Sequence, residues 1–235
     1  MSKLSALDEL LTLYHQLHYH QNPQLLQRLR DVQSWQKKRI QAMHVAQFQQ
    51  KNNQLMADYF MNRLYGGPDF DVLAQQIERL LQYAHKVEKM LPASAIQTGT
   101  SAVYLAVLAV QLDEQVAMQL LKDHAADLPL TDEIMRQAYL KLDQQSQRLK
   151  QLQLLDQLGS SLDKYMRSFV VYTAFKMCKG SAYKHRFDTL YDFMQEGFLA
   201  MKPLKSAEQF VKAFTAIERQ VITKVHAGDP EPFRP

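Results

Sequence analysis

Hydrophobic residues recur at helical spacing along most of the chain, and no run alternates β-branched with polar residues as a half-buried strand would. The clearest case is the segment Asp71–Leu91, where apolar residues return every three or four positions. A first helix over Ser5–His20 has the same pattern on one side. The spacing predicts an all-α fold, a single bundle of seven or eight helices.

The most apolar predicted helix extends from about Thr100 to Ala126. Its segment Ala102–Val110 is hydrophobic on every side, which is typical of a helix surrounded by other helices. This segment is about half as long as a bilayer crossing requires, so no transmembrane segment is predicted. We therefore expect the helix of residues 100–126 at the centre of the bundle.

Turn and capping residues predict where the other helices begin and end. Asn22-Pro23 separates the first two helices, and Thr131 caps a helix that continues to Leu158. Ser206 begins a capping box for the last helix. Further breaks are predicted at the polar patch 49–54, at Gly159 and at the loop Lys179–Ser181. Residues 1–227 are predicted to form one helical domain, followed by a flexible tail over residues 228–235.

An aromatic helix end precedes a Gly-Gly-Pro turn in the stretch Tyr59–Phe70. Its apolar residues share one helical face, which favours a place in the core, and Asp69 is predicted to cap the next helix. Aromatic residues also line apolar ligand pockets, but no polar constellation here suggests a ligand headgroup. The residues predicted to form this structural motif are Trp35, Tyr59, Phe60, Leu64, Tyr65, Gly66, Asp69 and Phe70.

The stretch Tyr59–Gly66 resembles the motif of an uncharacterised bacterial family named for the sequence Phe-Phe-Leu-Glu-Glu-Leu-Tyr (FFLEELY). Further similarity occurs between Trp35 and Val225, in residues 35–40, 69–70, 190–198 and 217–219. The paired acids of the motif are replaced here by Asn62 and Arg63. That family has no assigned activity, so the resemblance implies membership without a mechanism.

Composition and charge narrow the class of protein. A single cysteine, Cys178, excludes an internal disulfide framework, and acids near the N-terminus do not fit a signal peptide, so a cytoplasmic location is expected. The net charge of +4 is unevenly distributed. Residues 164–226 contain 11 basic and 5 acidic side chains, whereas residues 66–163 contain 8 basic and 13 acidic ones. Local fields of this kind matter for association.

The candidate partner surface is the basic-aromatic segment of residues 164–187, in which no acid occurs between Asp163 and Asp188. An acidic protein is the first candidate partner, and nucleic acid or an anionic membrane surface comes second. A solvated basic face of an ordinary amphipathic helix explains the same residues and is the commoner outcome. The cations of this surface are Lys164, Arg167, Lys176, Lys179, Lys184 and Arg186.

Motifs of common enzymes and cofactor sites are absent from the sequence, including the Glu-x-x-His ligand pair of ferritin-like bundles. The histidines His15, His18 and His20 lie close enough in sequence to share a metal, but a solvated helix end explains them as well, and no metal site is predicted. Gly99-Thr100-Ser101 could bind an anion at a helix start, although plain capping is the favoured explanation.

Three other residues are candidates for chemistry. His44 and His85 lie in amphipathic helices and are expected at core or border positions rather than as haem ligands. Cys178, next to Lys176 and Lys179, has no neighbouring base and is expected to be a structural thiol. No catalytic, cofactor-binding or metal-binding residue is therefore assigned.

The sequence favours a non-enzymatic interaction or scaffold protein of the cytoplasm that uses the basic-aromatic surface. The alternative is a helical bundle that binds a small apolar ligand or haem and acts on it. The oligomeric state stays open.

Overall fold

The computed structural model of the protein describes residues 4–66, 70–83, 93–166 and 168–234. These ranges contain helices and no strand, which confirms the all-α prediction. The α-helices are α1 (Ser5–His15), α2 (Pro23–Met43), α3 (Val45–Phe48), α4 (Gln54–Tyr59), α5 (Phe70–Leu81), α6 (Ala93–Asp123), α7 (Asp132–Leu142), α8 (Gln145–Met166), α9 (Phe169–Met177), α10 (Lys179–Lys184), α11 (Asp188–Met201) and α12 (Ala207–His226).

Helix α6 is the long apolar helix of the fold, and its second half lies deepest. Val116, Ala117 and Leu120 are fully buried against α2 and α7, in a core that also contains Leu29 and Met135. Within the segment expected at the centre, residues 102–110, only Val107 and Val110 are buried. The centre of burial was therefore predicted too early in the helix, because α6 begins at Ala93 and its first half packs mainly on α1 and α5.

Among the described helices, α6 alone is long and apolar enough to cross a membrane by length and composition. An 18-residue window of it has a mean hydropathy of 1.4, and 17% of that window is buried. The sequence analysis predicted no transmembrane segment because it counted only the uninterrupted apolar run Ala102–Val110, whereas the whole helix has 31 residues. Ser94, Gln97, Gly99 and Ser101 in the first half of the helix are exposed, while Ile96 and Val107 face the protein.

A second core brings together α2, α3, α4, α8, α11 and α12. Ile40, Phe48, Met56, Phe210 and Phe214 are buried there, and Tyr59, Phe60 and Leu64 are packed against them. The predicted core position of the motif is therefore correct for these three residues, although each is only partly buried.

Several predicted boundaries were confirmed. Asn22 accepts a hydrogen bond from the Leu25 backbone N–H at 3.1 Å, and Pro23 opens α2. Thr131 and Ser206 cap α7 and α12 in the same way. These residues combine a β-region backbone with an acceptor side chain, which is a strong local signal.

Other boundaries were wrong. The first helix ends at His15, and His18–Gln21 forms a separate 3₁₀ turn. The helix predicted over residues 131–158 is divided at Asp143, whose φ of +47° lies in the left-handed region that Asp tolerates. Lys179–Ser181 was predicted as a loop and belongs to α10.

Gly159 does not end a helix but lies inside α8, where the last helix approaches closely. A Cβ atom at this position would lie 2.9 Å from the Val211 side chain. The absence of a side chain therefore lets α8 and α12 pack closely. The sequence predicted a helix break at this glycine, but the structure uses it for close helix packing.

The C-terminal tail folds back onto the core. Pro232 and Phe233 are buried, and the Phe233 ring meets the Trp35 ring edge-on at 4.9 Å. A flexible tail was expected from its Gly and Pro content, but the apolar Phe233 provides the contact that holds it.

Some residues of the sequence predictions lie outside the described residues. They are Gly67 and Pro68 of the predicted turn, the capping candidate Asp69, residues 84–91 of the helix predicted over Asp71–Leu91, which include His85, and the cation Arg167.

Candidate functional site

The stretch that carries the family resemblance contains a π-turn over Phe60–Leu64, directly after α4. The Tyr65 N–H donates to the Phe60 carbonyl, five residues earlier, at 2.9 Å. Gly66 follows with a φ of +55°, a conformation that glycine adopts without strain. Single π-turns inside helices are frequent at functional sites, so the contacts of this turn identify the candidate site.

The turn directs side chains toward two different helices. Tyr59 donates its hydroxyl to the Phe193 carbonyl at 2.9 Å, and Arg63 forms a 2.7 Å ion pair with Glu196, both in α11. Tyr65 donates to the Asp113 carboxylate of α6 at 2.6 Å. The motif therefore joins α4, α6 and α11. Arg63, which replaces an acid of the FFLEELY motif, is itself paired with an acid, Glu196.

A buried ion pair lies beside this turn. Arg39 of α2 binds both carboxylate oxygens of Glu218 on α12, at 3.0 and 2.6 Å, and donates its Nε–H to Gln36. The fully buried His44 donates from Nε2 to the same carboxylate at 2.8 Å. Burial alone would raise the pKa of Glu218, but the Arg39 and His44 side chains outweigh burial and lower this pKa to about 2.

A second buried carboxylate, Asp113, faces a small cavity. Burial raises its pKa, although the Arg148 guanidinium and the Tyr65 hydroxyl oppose this rise. Tyr65 and Asp113 line the cavity together with Gln33 and Gly66, and its volume is about 20 Å³. Such a volume is about that of one water molecule, so this cavity is too small for a substrate.

We call Gln36, Arg39, His44 and Glu218, with Tyr65 and Asp113, the buried polar cluster. The His44–Glu218 pair has the geometry of a general base and its orienting carboxylate. The His44 ring, however, is inaccessible to solvent and stacks on Phe214 at 4.3 Å. A base must reach its substrate, so this geometry supports a structural role.

The buried polar cluster contains residues from three separate segments of the sequence that resemble the FFLEELY family. Gln36 and Arg39 come from the first part, Tyr65 from the motif and Glu218 from the last part. Sequence reasoning missed Arg39, Asp113 and Glu218 as site residues. The available signal was a charged residue on an apolar helical face, since Glu218 lies four positions after Phe214 and three before Val221.

The N-terminal histidines have separate partners. His15 contacts the Glu78 carboxylate, His18 lies 3.6 Å from Glu114, and His20 donates to the Tyr14 carbonyl at 3.0 Å. Within the described ranges, no three His, Cys, Asp or Glu side chains are arranged to hold a metal ion. The absence of a metal at these histidines stays a prediction.

One smaller expectation was wrong. Gly99-Thr100-Ser101 was expected at a helix start but lies inside α6, where the backbone N–H groups belong to the helix, so it is not a start that could bind an anion. Cys178 is exposed, and its role as a structural thiol stays a prediction.

The basic-aromatic surface lies on the end of α8 and on α9 and α10. Residues 176–181 and 183–186 are all exposed, as is Lys164. The Lys176 ammonium lies over the Tyr172 ring at 5.1 Å, and the Lys179 ammonium lies over the Tyr183 ring at 5.5 Å. These contacts hold both lysines on a largely solvent-exposed segment.

Fold and site together define an all-α protein with an ion pair in its core. The chain belongs to a family described as a domain of unknown function (DUF8198), whose model matches residues 16–232. Comparisons with curated proteins and with solved structures gave no match. The resemblance to a bacterial family named for its motif stays a prediction.

Proposed function

We propose that this chain is a non-enzymatic interaction protein of the cytoplasm, which binds an acidic protein through the basic-aromatic surface. The observation that carries the proposal is the state of five cations: Lys164, Lys176, Lys179, Lys184 and Arg186. All five are exposed, and within the described ranges none of them forms an ion pair.

Two other exposed cations of the molecule are neutralised locally, whereas Arg30, Lys38, Lys51 and Lys150 are exposed and form no ion pair within the described ranges. Lys212 pairs with Glu208 at 2.6 Å, and Lys141 pairs with Asp123 at 2.9 Å. The basic-aromatic surface differs because its six cations are clustered in residues 164–187, a segment without an acid. Asp192 accepts a hydrogen bond from Tyr183 of this surface at 2.6 Å, but within the described ranges it forms no ion pair with these cations. An unneutralised patch of one sign steers and binds a partner of the opposite sign.

The buried polar cluster supports the non-enzymatic part of the proposal. Its titratable groups are enclosed, and the adjoining cavity of about 20 Å³ is too small for a substrate. An open depression of about 270 Å³ near Met118 and Leu142 is also below the usual range of ligand pockets, roughly 300–1,000 Å³. Neither space supports the alternative of an apolar ligand or haem.

The proposal is tested by titrating the protein into a fluorescently labelled oligoglutamate peptide and measuring anisotropy at several salt concentrations. Reversal of Lys176, Lys179, Lys184 and Arg186 to Glu should weaken binding at least about tenfold at low salt, because these charges attract the peptide. Binding to the wild type should weaken as salt rises, since exposed charges are screened.

The matched control reverses the exposed cations Arg30, Lys38, Lys51 and Lys150, which changes the net charge by the same amount. If this variant loses as much affinity as the first, binding depends on net charge and the basic-aromatic surface is only a solvated face.

A further inference from the structure

The basic-aromatic surface also exposes an apolar side chain. Met177 has 80% of its surface exposed, more than any other large hydrophobic residue that the structure describes. It is the last residue of α9 and lies between Lys176 and Lys179 in the chain. Methionine is flexible and polarisable, and it is enriched at protein interfaces.

The two neighbouring lysines point away from Met177 along the chain. Lys176 reaches back to the Tyr172 ring at 5.1 Å, and Lys179 reaches forward to the Tyr183 ring at 5.5 Å. The apolar Met177 side chain is thus flanked in the chain by two lysines, each of which is positioned by a cation–π contact. A partner that matches this arrangement places an apolar residue on Met177 and acids on both sides of it.

The aromatic rings of the surface do not fit a nucleic-acid partner. Phe175 stacks on Tyr191 at 4.4 Å, and Tyr172 meets Phe198 edge-on at 5.7 Å while Lys176 covers it. Tyr183 is exposed, but Lys179 lies over its ring at 5.5 Å and its hydroxyl donates to Asp192 at 2.6 Å. These three rings therefore already have partners within the protein, whereas single-stranded nucleic acid requires free aromatic faces on which its bases stack.

A membrane partner fits less well than a protein. A helix that lies in a bilayer interface exposes a continuous apolar face. In residues 171–187, Met177 and Tyr183 are the large apolar side chains that are exposed, and Val171, Tyr172 and Phe175 are half-buried. This area suits one or two side chains of a protein.

We infer that the basic-aromatic surface recognises an amphipathic acidic segment of a protein, with an apolar residue seated on Met177 and carboxylates on the flanking lysines. The inference rests on the proposed function and specifies the partner's chemistry. Charge then provides attraction, and Met177 provides selectivity among acidic partners.

The test compares two labelled peptides of equal length and charge by anisotropy, one of Glu and Ser and one of Glu with Leu at helical spacing. The Leu-containing peptide should bind the wild type about tenfold more tightly, as expected for one apolar side chain removed from water. Met177→Ser should abolish this preference and leave the affinity for the Glu-Ser peptide unchanged within about twofold, since no charge changes.

Met177→Leu should restore the preference, because it keeps an apolar side chain of similar volume. Leu13→Ser is the matched control, since Leu13 is 50% exposed on α1, outside the basic-aromatic surface. This control should retain the preference. Both substituted sites are exposed, so thermal melting of each variant should follow that of the wild type.

Equal binding of both peptides to the wild type would overturn the inference and leave the proposed function standing. Failure of the protein to bind either peptide would overturn the proposed function itself. Tighter binding of oligodeoxythymidine, or of vesicles containing phosphatidylserine, would replace the protein partner by a nucleic acid or a membrane.

Discussion

Glu218 keeps a negative charge inside the core because polar side chains replace the water that it loses on folding. Arg39 supplies two hydrogen bonds and His44 a third. Removal of one partner from such a pair leaves an uncompensated charge in a medium of low dielectric constant, which is strongly destabilising.

Glu218→Ala should therefore lower the free energy of unfolding by about 3–5 kcal/mol, as measured by urea denaturation. The control is Glu133→Ala, which breaks the exposed pair with Arg136, and it should destabilise the protein far less, because solvent screens exposed pairs. Comparable losses of unfolding free energy in both variants would mean that the buried pair stabilises the protein no more than the exposed pair does.

The low pKa of Glu218 also predicts how stability depends on pH. The folded pKa of about 2 lies below the ordinary value of 4.5, so the ionised carboxylate stabilises the fold above about pH 4.5. This contribution is lost as the pH falls from 4.5 toward 2. The raised pKa of Asp113 acts in the opposite direction, because its protonated form favours the folded state.

Urea denaturation at several acidic pH values measures this dependence. Glu218→Gln cannot titrate, so its unfolding free energy should fall less steeply between pH 4.5 and 2 than that of the wild type. Parallel curves for the two proteins would contradict the assignment of the acid-dependent loss to Glu218.

At the scale of helices, the contact of α8 with α12 depends on one missing side chain. A Cβ atom at Gly159 would lie 2.9 Å from Val211. Gly159→Ala should therefore destabilise the protein by about 1–3 kcal/mol in urea denaturation, because the helices must separate or distort.

Gly99→Ala is the matched control, since Gly99 is also inside a helix but has no atom near the position of a Cβ. It should stabilise the protein by about 0.5–1 kcal/mol through helix propensity. Adding Val211→Ala to Gly159→Ala should recover part of the loss if the clash is its cause. No recovery would place the strain elsewhere.

At the scale of the whole molecule, the C-terminal tail connects distant parts of the chain. The Phe233 ring contacts Trp35 of α2 and Tyr139 of α7. Phe233→Ala should lower the free energy of unfolding by about 3–5 kcal/mol, the usual effect of removing a buried aromatic ring. Thermal melting and urea denaturation measure this effect.

Arg234→Ala is the control for Phe233→Ala, because the Arg234 side chain is 73% exposed and its pair with Glu231 lies at the surface. It should change stability by no more than about 0.5 kcal/mol. If the tail contributes nothing to stability, Phe233→Ala and Arg234→Ala will have the same melting temperature.

Local signals in the sequence determined the class of fold and many helix starts. Hydrophobic spacing predicted helices, and Asn22, Thr131 and Ser206 were recognised as caps because a cap depends on the residues immediately around it. The position of Tyr59, Phe60 and Leu64 against a core also followed from their shared helical face.

Only the tertiary structure decided which residues meet across the chain. Arg39 and Glu218 are 179 positions apart, so their pairing has no local signal, and the role of Gly159 depends on a helix that follows much later. The sequence alone determined that residues 164–187 are cationic, whereas the tertiary structure decided that these cations are exposed and that Met177 is exposed among them. Periodicity reports which face of a helix is apolar, but burial depends on which other helix covers that face.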